Sequence, residues 1–207
     1  MCREGSVKKR SESIRLFNNN FMESLTHVHP VTPLIIWSPV IVWFLHRGLF
    51  VDDLELKVFC FIALFALLVW TFTEYFLHRF VFHFKAKSRL GKYLIFLFHG
   101  IHHDDPNDKT RLVMPPVPAI MIVSGLYFIF SLLIPTLWLN TFMGWFLVGY
   151  LIYDYIHYAT HHFPMKSRVA RYLKKWHLQH HHTKKQVQYG VSNPLWDYIF
   201  RTVPKRR

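Results

Sequence analysis

Imidazole is the side chain whose number and spacing stand out in this chain. Fifteen histidines occur, and most fall in four short stretches. EYFLHRFVFH carries His78 and His83, and FHGIHH carries His99, His102 and His103. YDYIHYATHH carries His157, His161 and His162. KKWHLQHHHTKK carries His177, His180, His181 and His182. Residues three and four apart share one face of a helix. His99, His102 and His103 have that spacing, His177, His180 and His181 repeat it, and His157 and His161 are four apart. His78 and His83 are five apart, which suits a helix end that loosens. A neutral imidazole is the commonest metal ligand. Taken alone, each stretch reads as readily as an imidazole-rich surface. Together they offer ten ligands, His78, His83, His99, His102, His103, His157, His161, His177, His180 and His181. One ion takes roughly four to six ligands, so ten point to two ions. His162 and His182 directly follow chosen ligands and point about 100° away. His27, His29 and His46 have no helical partner.

Groups that would orient these imidazoles sit nearby. A metal-bound histidine usually donates its other N–H to a carboxylate or carbonyl. Glu74 lies one turn before His78, and Asp154 lies three residues before His157. Acids close to a membrane span are costly and tend to be functional, although a cap or ion pair at a wet helix end explains them equally well. Tyr150 and Tyr153 precede His157 by seven and four positions, on its face, where they would line a path to the metals or pack in the core.

The elements that must position these groups are apolar runs. Four are present, near 33–50, 56–77, 117–139 and 141–156. A helix of about 20 apolar residues crosses the ~30 Å hydrocarbon core. The second run is the strongest. The first is short, contains Pro39, which should kink it, and needs Gly48 to Val51 to complete a crossing. The uncharged PTLWLN joins runs three and four, either as a tight hairpin of two spans or as a pair that dips in and returns. If all four cross, 23 of the 25 Lys and Arg residues fall on one side, which the positive-inside rule makes the cytosol. An even number of crossings then puts all four histidine clusters on that cytosolic face.

The expected fold is all-α: a polytopic membrane protein with about four transmembrane helices and a cytosolic helical cap holding a dinuclear histidine site. Residues 1–30 form a cytosolic N-terminal segment. Residues 31–207 form one integral membrane domain, with the cap drawn from 78–116 and 157–207. The net charge of +13 fits loops beside a membrane, since no zinc-finger, basic-zipper or RNA-binding signature accompanies it. Two cysteines, Cys2 and Cys60, make no disulfide framework. The polar, basic start, with VKKRSESIR, is not a cleavable signal.

An all-nitrogen site suits Zn, Fe, Cu or Ni. Aromatic spans at a membrane surface face lipid chains, whose C–H bonds yield only to an oxidant, and zinc has no redox chemistry. The stretches quoted above, with HGIHHDDPNDKTRLVMPP and YGVSNPLWDYIFRTVP, resemble the fatty acid hydroxylase superfamily of membrane di-metal enzymes, and most closely its fatty acid 2-hydroxylases. The likeness runs from about residue 33 to 204. RLVMPP and YGVSNPLWDYIF narrow it; read alone, Trp196, Tyr198 and Phe200 are an amphipathic closing segment at the membrane interface.

The resemblance implies hydroxylation at the α-carbon of a fatty acyl chain, free or in ceramide, with O2 and two electrons. It implies the same ten histidines as ligands of two metal ions. Iron is expected for activity, although zinc can occupy such sites on isolation. Tyr150, Tyr153 and Asp154 match family positions near the metals, and His182 departs from the residue often found there. Many relatives carry a haem-binding cytochrome b-type domain, and no such segment occurs here, so electrons are expected from a separate cytochrome b-type or reductase protein. The basic face would suit an acidic donor or anionic headgroups. The expected partners are the bilayer, a fatty acyl or ceramide substrate and that donor, with no nucleic acid. The expected location is the endoplasmic reticulum membrane in a eukaryote or the inner membrane in a bacterium. Rival readings are a sterol or carotenoid oxidase or a desaturase, a zinc-dependent membrane hydrolase, and a metal store.

Overall fold

The structure is a computed structural model that describes residues 13–183 and 186–204. The far N-terminal basic residues, Lys184, Lys185 and the last three residues therefore lie outside the described residues. All regular structure among those described is helical.

The long helices follow the apolar runs. Helix α1 is a short turn, Asn20–Ser24. Helix α2, Thr32–His46, runs through Pro39 without ending, and a π-helical turn, Arg47–Val51, extends it. That extension supplies the length the first run lacked. Helix α3, Leu56–Phe76, continues into a second π turn, Leu77–Phe82. Helix α6, Pro116–Leu133, stops six residues before the expected end of its run. Pro135 has no N–H and pushes Ile134 into an extended conformation (φ −108°, ψ 132°). Helix α7 starts at once and runs Thr136–His162. PTLWLN is thus a sharp joint with most of its residues inside α7.

Among the described residues, three helical stretches, Thr32–Val51, Leu56–Phe82 and Pro116–Leu133, are long and apolar enough to cross a membrane. The fourth run becomes the front of α7, the central helix of the bundle. It is not among these three, and its 27 residues extend about 40 Å. Trp37, Ile41 and Phe44 of α2, Ile62, Ala66 and Trp70 of α3, and Phe142, Phe146, Leu147 and Tyr150 of α7 form the apolar core. Gly149 lets α7 approach α3 closely, since a Cβ there would stand 2.6 Å from the Trp70 ring. Helix α6 packs loosely, with Ala119 its one buried residue.

The cap gathers at the shared end of α3 and α7. It comprises α4 (Arg89–Ile95), a third π turn (Phe96–Gly100), α5 (Ile101–Asp104), α8 (Arg168–His182) and α9 (Leu195–Ile199). Helix α8 is strongly amphipathic: Leu173, Trp176, His177 and His180 are buried, while Arg171 and Lys175 face outward. The N-terminal segment is no free tail from residue 13 onward. It lies along the Asp108–Arg111 turn, where the Val28 N–H donates to the Thr110 carbonyl at 2.7 Å.

Candidate metal centre

Two of the three π turns carry histidines into the cap. In the first, the His83 N–H donates to the His78 carbonyl at 3.2 Å, an i→i+5 bond. This wider turn lets residues five apart serve one site, and π turns occur often at functional sites. The Phe96–Gly100 turn carries His99, and α5 follows directly with His102 and His103.

The ten histidines chosen by spacing converge into two groups of five. His78, His83, His99, His103 and His180 form the first, and His102, His157, His161, His177 and His181 the second. Within each group the candidate ligand nitrogens lie within 4.8 Å of one another. Spacing did not reveal this partition. Pairs four apart stay together: His99 with His103, His157 with His161, His177 with His181. The residue between them turns to the other group, His102 to the second and His180 to the first. Adjacent helical residues point about 100° apart, so α5 and α8 each serve both groups.

The close contacts are between Nε2 atoms. In the first group they run His180–His83 at 3.0 Å, His83–His78 at 3.2 Å, His78–His99 at 3.0 Å and His99–His103 at 2.9 Å. In the second they run His157–His102, His102–His181 and His181–His177 at 3.0 Å each, and His177–His161 at 2.8 Å. The tautomer can be assigned at two of these imidazoles, His78 and His180, both in the first group. His78 Nδ1 lies 2.5 Å from the Tyr189 carbonyl and His180 Nδ1 lies 2.7 Å from the Val187 carbonyl. A carbonyl only accepts, so Nδ1 carries the proton and Nε2 presents a lone pair. Lone pairs crowded this closely repel unless a cation lies between them. Two nitrogens bound at ~2.1 Å and at right angles stand roughly 3 Å apart, so the spacing fits adjacent ligands of one ion. The residues present fit a metal in each group.

Electrostatics point the same way. Burial first, then neighbouring imidazoles, hold His99, His102 and His177 well below the ordinary histidine value. His83 is held at about 4 and His103 at about 3, by burial first and then by His180. All five are neutral at neutral pH, the form that binds metal.

The acids behave differently from the expectation. Glu74 is buried but contacts no histidine through a hydrogen bond among the described residues. It accepts from the Val191 N–H at 2.6 Å and the Ser192 N–H at 2.8 Å, and from the Ser192 hydroxyl. It therefore ties the closing loop to α3, and that loop's Tyr189 carbonyl orients His78. Asp197, which sequence reasoning missed, does similar work. Fully buried, it accepts from the Tyr189 and Gly190 N–H groups at 2.9 and 2.8 Å, from Thr202 Oγ1 at 2.7 Å and from Trp176 Nε1 at 3.3 Å. Its clue was a carboxylate inside the apolar closing stretch, with no histidine beside it to draw attention.

Asp154, Tyr150 and Tyr153 face a cavity of about 590 Å³. It runs between α3, α6, α7 and the α4–α5 segment, and its wall is mostly apolar. His99 of the first group and His102 and His157 of the second reach the same wall. The Tyr153 ring stacks on His157, with centroids 5.8 Å apart. Asp154 Oδ2 and the Tyr150 hydroxyl are buried without a hydrogen-bond partner among the described residues. The remaining histidines stay apart. His162 packs on Tyr158, the exposed His182 faces the Leu178 carbonyl through Nδ1 at 2.7 Å, and His27 meets Thr110 and Arg111.

Comparison with known proteins agrees with this arrangement. A family model described as fatty acid hydroxylase matches residues 63–202. The chain is similar to the dihydroceramide fatty acyl 2-hydroxylase FAH1 of Arabidopsis thaliana, 36% identical over 93% of this chain and 81% of that protein. It is 37% identical to the ceramide very long chain fatty acid hydroxylase SCS7 of Saccharomyces cerevisiae, over 88% of this chain and 48% of that one. It is 34% identical to the rat fatty acid 2-hydroxylase, over 92% and 56%. The chain thus spans about half the length of the yeast and rat relatives. A solved structure of full-length Scs7p, with only the hydroxylase domain visible, superposes with a TM-score of 0.86 at 36% identity, covering 92% of this chain and 72% of that one.

Proposed function

The chain belongs to the fatty acid hydroxylase family, and from that premise we propose that it is a membrane oxidoreductase that places a hydroxyl on the α-carbon of a fatty acyl chain, free or in a sphingolipid. The observation that carries this reading is the apolar cavity whose polar end meets both histidine groups. Two ions held by His78, His83, His99, His103 and His180 and by His102, His157, His161, His177 and His181 would supply activation of O2 and oxidation of the C–H bond. Overall, O2, two electrons and two protons convert the α-CH2 to a CHOH and release one water. Iron is the metal proposed, because five imidazoles exceed the tetrahedral set zinc favours and zinc is redox-inert.

The chain's own residues select the carbon. The apolar wall, with Leu97, Val113, Ile122 and Leu126, holds the hydrocarbon and excludes water. The Tyr150 hydroxyl donates to the acyl carbonyl and Asp154 faces an amide N–H or hydroxyl of the head group. The carbon next to that carbonyl then lies closest to the histidines. The electrons come from a separate donor protein, and the histidine groups face the cytosol, where 23 of 25 basic residues fall if four helices cross.

Reconstitution with a reductase and cytochrome b-type donor, O2 and a labelled ceramide or fatty acid tests the reading. The expected product is the 2-hydroxy lipid by mass spectrometry. An absence of that product with every donor, in protein carrying two iron ions, would refute it.

A further inference from the structure

The cavity wall has a part that the reaction does not use. Leu16, Phe17, Met22 and Leu25, from the start of the described chain, line the cavity opposite the bundle. Their segment is held by a polar clip. Ser13 Oγ donates to Asp108 Oδ2 at 2.5 Å, and the Val28 N–H closes the other end on Thr110. Between these ends, Glu23 accepts from the Leu16 and Phe17 N–H groups at 2.9 and 2.8 Å, which folds the segment back on itself. The Arg111 side chain, 3% exposed, donates to the Ile14 carbonyl and to Glu23 and meets His27 Nε2 at 2.9 Å. Most of what satisfies this guanidinium comes from the segment.

The apolar grip is concentrated at one end, where Val28 is 5% exposed, and is slight over the rest of the segment. Helix α1 has no buried residue. Phe21 is 69% exposed and Leu25 54%. The first span begins at Thr32, so these side chains stand at the bilayer surface, where an amphipathic turn settles. If Val28 stays seated as a hinge, the rest of the segment leaves at small hydrophobic cost, and its departure opens Arg111 and Glu23 to water.

We propose that residues 13–28 are a detachable outer wall of the acyl cavity, clipped shut by Arg111, which lifts to admit a bilayer lipid and, when seated, limits through Leu16, Phe17, Met22 and Leu25 which chains fit. This rests on the acyl-cavity reading above. The test uses a reversible staple, Ser13→Cys with Asp108→Cys, in a Cys2→Ser, Cys60→Ser background. The two native side chains meet across this clip, and mass spectrometry of the non-reduced protein confirms the bridge before uptake is measured. Uptake of cis-parinaric acid, a linear fluorescent fatty acid, is followed by stopped flow in the metal-loaded full chain, so no turnover is needed. The oxidised staple is expected to slow uptake and release about tenfold or more against the phosphine-reduced protein. Glu23→Gln, which needs no cysteine, is expected to speed both. Equal uptake in stapled and reduced protein overturns the gate. Failure of the reduced protein to take up the probe at all sinks the acyl cavity, and the gate with it. Phe17→Ala is expected to shift the hydroxylated products toward longer or bulkier chains, and an unchanged profile overturns the role in selection.

Discussion

At the residue scale, the distinctive feature is that sequence neighbours serve different sites. His102 and His103 are adjacent, yet belong to the second and first groups. Metal analysis can test this by pairing each with a second-group partner. His102→Ala with His157→Ala should leave about one ion per chain, because both changes fall on one group. His103→Ala with His157→Ala should leave close to none. Equal counts in the two double variants would contradict the partition. Spacing singled out the ten imidazoles that the fold gathers into two groups, because periodicity on a helix is a local property. It could not assign them, since that depends on how α5 and α8 are rotated against their neighbours. Glu74 drew attention as an acid beside a membrane span, but its partners lie more than a hundred residues away in sequence. Glu74→Ala leaves the buried Val191 N–H unpaired, at about 1–3 kcal/mol, and frees the half-buried Ser192 N–H as well. The slackened loop should also weaken the first ion by about 10–100-fold. Titration should show that loss with the second ion unchanged.

At the element scale, the π turns and the α3–α7 contact position the site. The 77–82 turn was anticipated only as a loosened helix end, from two histidines five apart. Its i→i+5 bonding makes that spacing useful. The boundary between α6 and α7 was misplaced because hydropathy does not change across PTLWLN, whereas Pro135 imposes a backbone break. Gly149 sets the distance between α3 and α7 on the route to Tyr150, Tyr153 and Asp154. Gly149→Ala places a methyl 2.6 Å from Trp70, so the helices must shift. Overpacking of this kind costs about 1–3 kcal/mol. The apparent melting temperature should fall, and the larger loss should be in kcat as the α7 residues move relative to His78 in the π turn that follows α3. A variant with wild-type melting and turnover would show that the contact is slack.

For the whole molecule, the two metal groups join elements far apart in sequence: the end of α3, α5, the end of α7, and α8. Ions bound there would tie the cap to the membrane bundle. Binding only to the folded chain stabilises it by about 2.7 kcal/mol per site at a hundredfold excess over Kd. Chelation should therefore lower the apparent melting temperature, and iron or zinc should restore it in a concentration-dependent way. A chelator-insensitive melt would argue against structural coupling through the histidines. The amino-acid sequence by itself determined the all-helical class, the apolar runs and the ten imidazoles, because hydropathy and helical period are written in consecutive residues. Only the tertiary structure decided the division into two fives, the loop-holding work of Glu74 and Asp197, and the folding of residues 13–28 across the cavity. Those depend on contacts between segments distant along the chain, and no local pattern records them.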